Sequence, residues 1–199
     1  MKKNIESMTL LGLMSAIVII MTIIPGIGFI PLGFVNVTIV HIPVIIIGIV
    51  KGPKLGAILG IIMGIASLMN ALLRPIPTSF LFMNPIISIL PRMMIGILSG
   101  LSYKFLNQIS KNIGNKVKIA ISSAIGSLVN SIGVLGLIYI IYAQKYMQAI
   151  GKTGESAFKF IFGIFISNGI LEMLISIILV TAIASALLKF EQKRIKWFY

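Results

Sequence analysis

Residues 55–73 read LGAILGIIMGIASLMNALL, nineteen residues without a charge, bracketed by Lys54 and Arg74. At 1.5 Å per residue, such a helix crosses the roughly 30 Å hydrocarbon core of a bilayer. The same kind of run recurs along the whole chain: Met8–Ile24, Val35–Val50, Asn84–Leu106, Val117–Tyr142 and Ala157–Lys189. The expected fold is therefore all-α, one integral membrane domain over residues 1–199 with six transmembrane helices. The last run is too long for one perpendicular crossing, so it tilts or protrudes. Composition agrees: 58% of residues are hydrophobic and 11% charged, against about 25% charged in soluble domains. Lys2-Lys3 before the first run resembles a signal peptide, but no small-x-small cleavage site follows. Pro25-Gly26-Ile27-Gly28 reads as a turn, and the run is expected to be retained as a helix.

The net charge of +13 and pI near 10.2 would suit a nucleic-acid binder, but the distribution excludes that partner. Basic residues flank apolar runs, as topology signals do, rather than clustering on one solvated face. With six crossings, Lys2, Lys3, Lys51, Lys54, Lys104, Lys111, Lys116, Lys118, Lys189, Lys193, Arg194 and Lys196 fall on the side of the termini. Arg74, Lys145, Lys152 and Lys159 fall on the other side, and Arg92 lies inside the fourth run. The positive-inside rule then places both termini in the cytoplasm.

Small residues recur four apart: Gly56, Gly60 and Gly64 in the third run, Gly96 and Gly100 in the fourth, Gly12 and Ala16 in the first. Such ridges let helix backbones approach closely in lipid. Packing within the bundle is the expected use in the third and fourth runs. In the first, contact with another protein is an equal alternative.

Polar groups in hydrocarbon are costly, and each needs a reason. The set is Asn36, Thr38, His41, Asn84, Ser88, Arg92, Ser127, Asn130, Asn168 and Glu172. Residues three or four apart share a helix face. Three stripes result: Asn84, Ser88 and Arg92; Ser123, Ser127 and Asn130; Asn168, Glu172 and Ser176. Arg92 lies roughly 10 Å below the outer end of its helix, and Asn130 roughly 18 Å from the inner end of its own. The groups concentrate in the outer half, below the Gly/Pro-rich loop 25–33, which predicts a pocket open to the outside with that loop as a lid. The competing reading is structural. Arg92 and Glu172 pair, His41 bonds a neighbouring helix, and Asn130 and Asn168 join helices.

Catalysis finds little support. There is no cysteine and no aspartate, and histidine occurs once. A zinc site needs three or four ligands, so no metal or other cofactor is expected. Gly151-Lys152-Thr153 echoes the end of a P-loop, but Tyr146 stands where its first glycine is required. The energy for any transport must come from other chains.

The segment Gly33-Phe34-Val35-Asn36-Val37-Thr38-Ile39-Val40-His41-Ile42-Pro43-Val44-Ile45, then Gly52-Pro53-Lys54-Leu55-Gly56-Ala57, resembles the substrate-binding S components of energy-coupling factor (ECF) vitamin transporters. Pro77-Thr78-Ser79-Phe80, Asn84-Pro85 and Pro91-Arg92 add to the likeness, which is to the pantothenate branch. The resemblance implies a six-helix subunit of the cell membrane that captures a vitamin from outside. It also implies association with a transmembrane coupling protein and two cytosolic ATPases. Gly12 and Ala16 correspond to the family's small-residue contact with the coupling protein, which is usually Ala-x-x-x-Ala. The expected ligand is pantothenate, its carboxylate on Arg92, with Asn36, His41, Asn84, Asn130, Asn168 and Glu172 completing the site. The alternatives are another small vitamin such as riboflavin, a membrane-embedded enzyme using His41 and Glu172, and a non-transporting structural or sensor protein.

Overall fold

The computed structural model describes residues 2–24, 26–32, 35–110 and 112–197, without the side chains of 2–4, 29–32, 35–37 and 192–197. Helix α1 (Lys2–Ile23) is followed by a hairpin of strands β1 (Phe29–Leu32) and β2 (Val35–Thr38). Then come α2 (Ile42–Lys51), α3 (Pro53–Leu73), the single turn α4 (Ser79–Phe82), α5 (Pro85–Ile109) and α6 (Asn115–Ala149). The last rod is α7 (Ala157–Ile164), a π-helical turn (Phe165–Gly169) and α8 (Ile170–Trp197). Among the described residues, five stretches are long and apolar enough to cross a membrane: Ile5–Ile23, Pro53–Leu73, Pro85–Ile109, Asn115–Ala149 and Ala157–Glu191.

The second expected helix is the main departure. Instead of one helix over 35–50, the chain forms β2 and then the ten-residue α2. Pro43 supplies the reason: inside a continuous helix it would lack an N–H and clash with the preceding turn, whereas in a first turn it fits. Residues 35–38, with β-branched Val35, Val37 and Thr38, pair antiparallel with β1 from Leu32↔Val35 to Phe29↔Thr38. At about 15 Å, α2 is half a bilayer deep. Its residues Ile42 to Ile49 are all buried, so it is a central plug enclosed by the longer helices. Among the described residues the fold is thus helical with one small hairpin, five long apolar stretches and one short apolar helix.

The glycine ridges pack within the bundle. A Cβ on Gly60 would lie 2.1 Å from the Arg92 carbonyl oxygen, and one on Gly96 would lie 2.1 Å from the Gly56 backbone. Helices α3 and α5 therefore touch backbone to backbone along that seam. On Gly12 of α1 a Cβ would meet nothing within 4 Å, and among residues 5–23 only Val18 is buried. Near its other end, α6 kinks at Tyr142, whose φ of −132° and ψ of 16° leave the helical region.

Contacts fix the two ends of the bundle. Arg74, after α3, donates to the carbonyl of Ile23 at the end of α1. Lys51, ending α2, pairs with Glu191 near the end of α8. The helices thus alternate direction, and α1 starts and α8 ends at the same end.

Candidate substrate-binding site

At the end of the bundle marked by Ile23 and Arg74 lies a cavity of about 400 Å³. Every long apolar helix contributes to its wall: Met21 and Thr22 from α1, Ser67 and Asn70 from α3, Arg92 from α5, Asn130 and Ser131 from α6, and Asn168 and Glu172 from the last rod. Thr38 and His41 enter from the hairpin–α2 junction, and Ser79 and Phe82 from α4.

The Pro91-Arg92 pair builds its own support. A proline at 91 cannot donate to the carbonyl of Ile87, which its ring also crowds. The Arg92 guanidinium takes that carbonyl instead, Nη1 donating to Ile87 O at 2.7 Å. Its plane lies over Phe82, 5.3 Å from the ring centroid, a favourable cation–π position. Gly60 lets the α5 backbone sit close to α3 at this residue. Arg92 is buried, its Nε has no hydrogen-bond partner, and it makes no ion pair among the described residues. The Arg92–Glu172 ion pair of the competing structural reading is not formed.

Glu172 is instead committed to the hairpin. Its Oε1 accepts from the Thr38 backbone N–H at 2.9 Å and from the Thr38 hydroxyl. One turn on, Ser176 Oγ lies 3.0 Å from His41 Nε2. Two neighbouring turns of α8 thereby hold the β2–α2 junction. The π-helical turn just before them carries Asn168 and Gly169 to the cavity, a usual place for such an irregularity in binding sites. Gly169 also brings α8 against Ser131 of α6, where a Cβ would lie 3.3 Å from the Ser131 side chain.

Four buried polar atoms on cavity-lining residues have no hydrogen-bond partner among the described residues: Arg92 Nε, Asn130 Oδ1, Ser131 Oγ and His41 Nδ1. Buried polar groups are normally satisfied, so their convergence on one cavity marks a place where a polar ligand completes the bonding. The lining charges are two arginines, Arg74 and Arg92, against one glutamate. That balance suits a small anion bearing hydrogen-bonding groups.

Residues 6–184 match the family described as ECF transporter, substrate-specific component. The chain belongs to this family. It is 30% identical over 185 residues to the pantothenate transporter PanT of Leuconostoc mesenteroides subsp. mesenteroides, covering 89% of this chain and 90% of the relative. It is 31% identical over 170 residues to the pantothenic acid transporter PanT of Lactococcus lactis subsp. cremoris, covering 78% and 79%. This S component is accordingly a multi-pass membrane protein.

Of the residues expected to bind, the S component gathers His41, Arg92, Asn130, Asn168 and Glu172 around the cavity. The Asn36 side chain lies outside the described residues. Asn84 is not among the lining residues. Its Oδ1 caps α5 by accepting from the Ile86 N–H at 2.9 Å, and its Nδ2 donates to the Tyr142 hydroxyl at 3.2 Å. Ser88, the next in that stripe, donates to the Phe82 carbonyl. Sequence reasoning misses Ser67, Asn70 and Arg74 as wall residues. Their spacing of three and four is itself a polar stripe, hidden because Arg74 reads as a loop residue. Thr38 reads as an intramembrane polar residue but not as the partner of Glu172.

Proposed function

We propose that this S component binds pantothenate from the outside of the cell and delivers it for ATP-driven uptake. The observation that carries the reading is Arg92: a buried guanidinium held in place by Ile87, without an ion-pair partner among the described residues, in a cavity of about 400 Å³. A bidentate contact with a carboxylate satisfies such a group. Asn130, Asn168 and His41 supply bonds suited to the amide and hydroxyls of pantothenate. Both relatives named above are pantothenate transporters, which supports the same substrate.

In this reading the chain is one domain that crosses the membrane six times, the hairpin and α2 together completing the second crossing. The termini are cytoplasmic and the cavity opens outward, a polarity supported by the bias of Lys and Arg toward the termini side. The partners are a transmembrane coupling protein and two cytosolic ATPases. The open face of α1 around Gly12 and Ala16 is the contact for the coupling protein.

The test is a thermal-shift panel on the purified chain. A ligand that binds only the folded state raises its melting temperature by mass action. Pantothenate is expected to raise it, riboflavin to leave it unchanged, and Arg92→Ala to abolish the pantothenate shift. A full shift in the Arg92→Ala protein would overturn the carboxylate assignment, and a shift with riboflavin alone would overturn the substrate.

A further inference from the structure

Arg92 is buried deep in the wall, so it holds a carboxylate only after the ligand has already entered. A second guanidinium stands at the rim. Arg74 follows directly on α3, is exposed, and lines the same cavity. One of its donors is fixed, Nη1 giving a 3.0 Å hydrogen bond to the Ile23 carbonyl at the end of α1. It makes no ion pair among the described residues. Two other basic side chains at this end are engaged elsewhere: Lys145 lies over the Phe80 ring, and Lys152 pairs with Glu155. Glu172, the acid of the cavity, is turned to Thr38.

From this arrangement, and resting on the carboxylate reading above, we propose that Arg74 is the capture residue. It draws the anionic substrate to the mouth and passes it to Arg92, which sets how long the ligand stays. The division follows from exposure. A charge at a solvated rim acts mainly on the rate of encounter and is screened by salt, whereas a buried charge-assisted bond acts on the rate of escape. The Ile23 bond holds the guanidinium at the opening without neutralising it, because a carbonyl carries no net charge.

The experiment is rapid-mixing binding of labelled pantothenate to the full chain in nanodiscs of uncharged lipid, at low and high salt. At low salt, Arg74→Gln is expected to slow association by about three- to tenfold, with dissociation changed by less than about twofold. The difference should shrink at about 1 M salt, where the screening length is only about 3 Å. Arg74→Lys keeps the charge and should keep the rate. Pantothenyl alcohol, which lacks the carboxylate, should bind Arg74→Gln and the unsubstituted chain at equal rates.

Faster dissociation with unchanged association would make Arg74 a contact of the bound ligand and overturn its capture role. Equal slowing for the acid and the alcohol would make it a structural strut between α1 and α3, which overturns that role as well. If the unsubstituted chain binds pantothenate and Arg74→Gln behaves identically, the inference fails alone. If the unsubstituted chain binds no pantothenate, the substrate reading fails and takes the inference with it.

Discussion

Arg92 and Pro91 show how two adjacent residues divide one task. The proline removes a helix donor, and the arginine occupies the carbonyl that is left. Pro91→Ala is therefore expected to restore the main-chain bond to Ile87 and set it in competition with the guanidinium. The melting temperature should stay the same or rise, since proline is costly within a helix. Pantothenate affinity should fall by roughly fivefold, about the worth of one hydrogen bond. Parallel thermal melts and equilibrium binding check both halves, and an unchanged affinity would remove the positioning role of Pro91. Asn84 shows the opposite. Its spacing from Arg92 suggests a shared face, yet as the N-cap of α5 it sits at the helix end. There the unpaired N–H of Ile86 claims its side chain.

At the scale of elements, the seam between α3 and α5 sets the position of Arg92. Gly60 faces the Arg92 carbonyl with no room for a side chain, so Gly60→Leu must push the two helices apart. Overpacking of this kind costs about 1–3 kcal/mol, and here the displaced element also carries the guanidinium. The expected result is a lower melting temperature together with weakened pantothenate binding. Gly12→Leu on α1, where the added atoms meet open space, is the control and should leave both unchanged in the isolated chain. The hairpin and α2 are the elements where sequence periodicity fails. Residues 35–50 are nearly continuous in apolar character, and a buried strand and a buried helix then look alike. Pro43 is the one local mark of the break.

For the whole molecule, the alternation of helices puts α1's start and α8's end together, and the charge bias is the support for the proposal that this end is cytoplasmic. The chain has no cysteine, so single cysteines report sidedness directly. Both Thr153, between α6 and α7, and Asn112, between α5 and α6, are exposed. In intact cells a membrane-impermeant thiol reagent is expected to label Thr153→Cys, and to label Asn112→Cys only after permeabilisation. The reverse pattern would invert the proposed polarity.

The long apolar runs, the flanking charges and the small-residue ridges determined by themselves that the chain is a helical membrane protein, and pointed to close packing of α3 and α5 somewhere within the bundle. They could do so because the cost of placing charge and unpaired backbone in hydrocarbon acts on each segment independently of its neighbours. The polar stripes likewise pointed to Arg92, Asn130, Asn168 and Glu172 before any contact was known. Only the tertiary structure decided what those residues do with one another. Glu172 bonds Thr38 rather than Arg92, Asn84 caps a helix rather than facing the cavity, and Arg74 joins the wall from what reads as a loop. Such choices depend on which donor lies within about 3 Å of which acceptor. For residues 134 positions apart, such as Thr38 and Glu172, that distance is set by the packing of the helices, which no local pattern encodes.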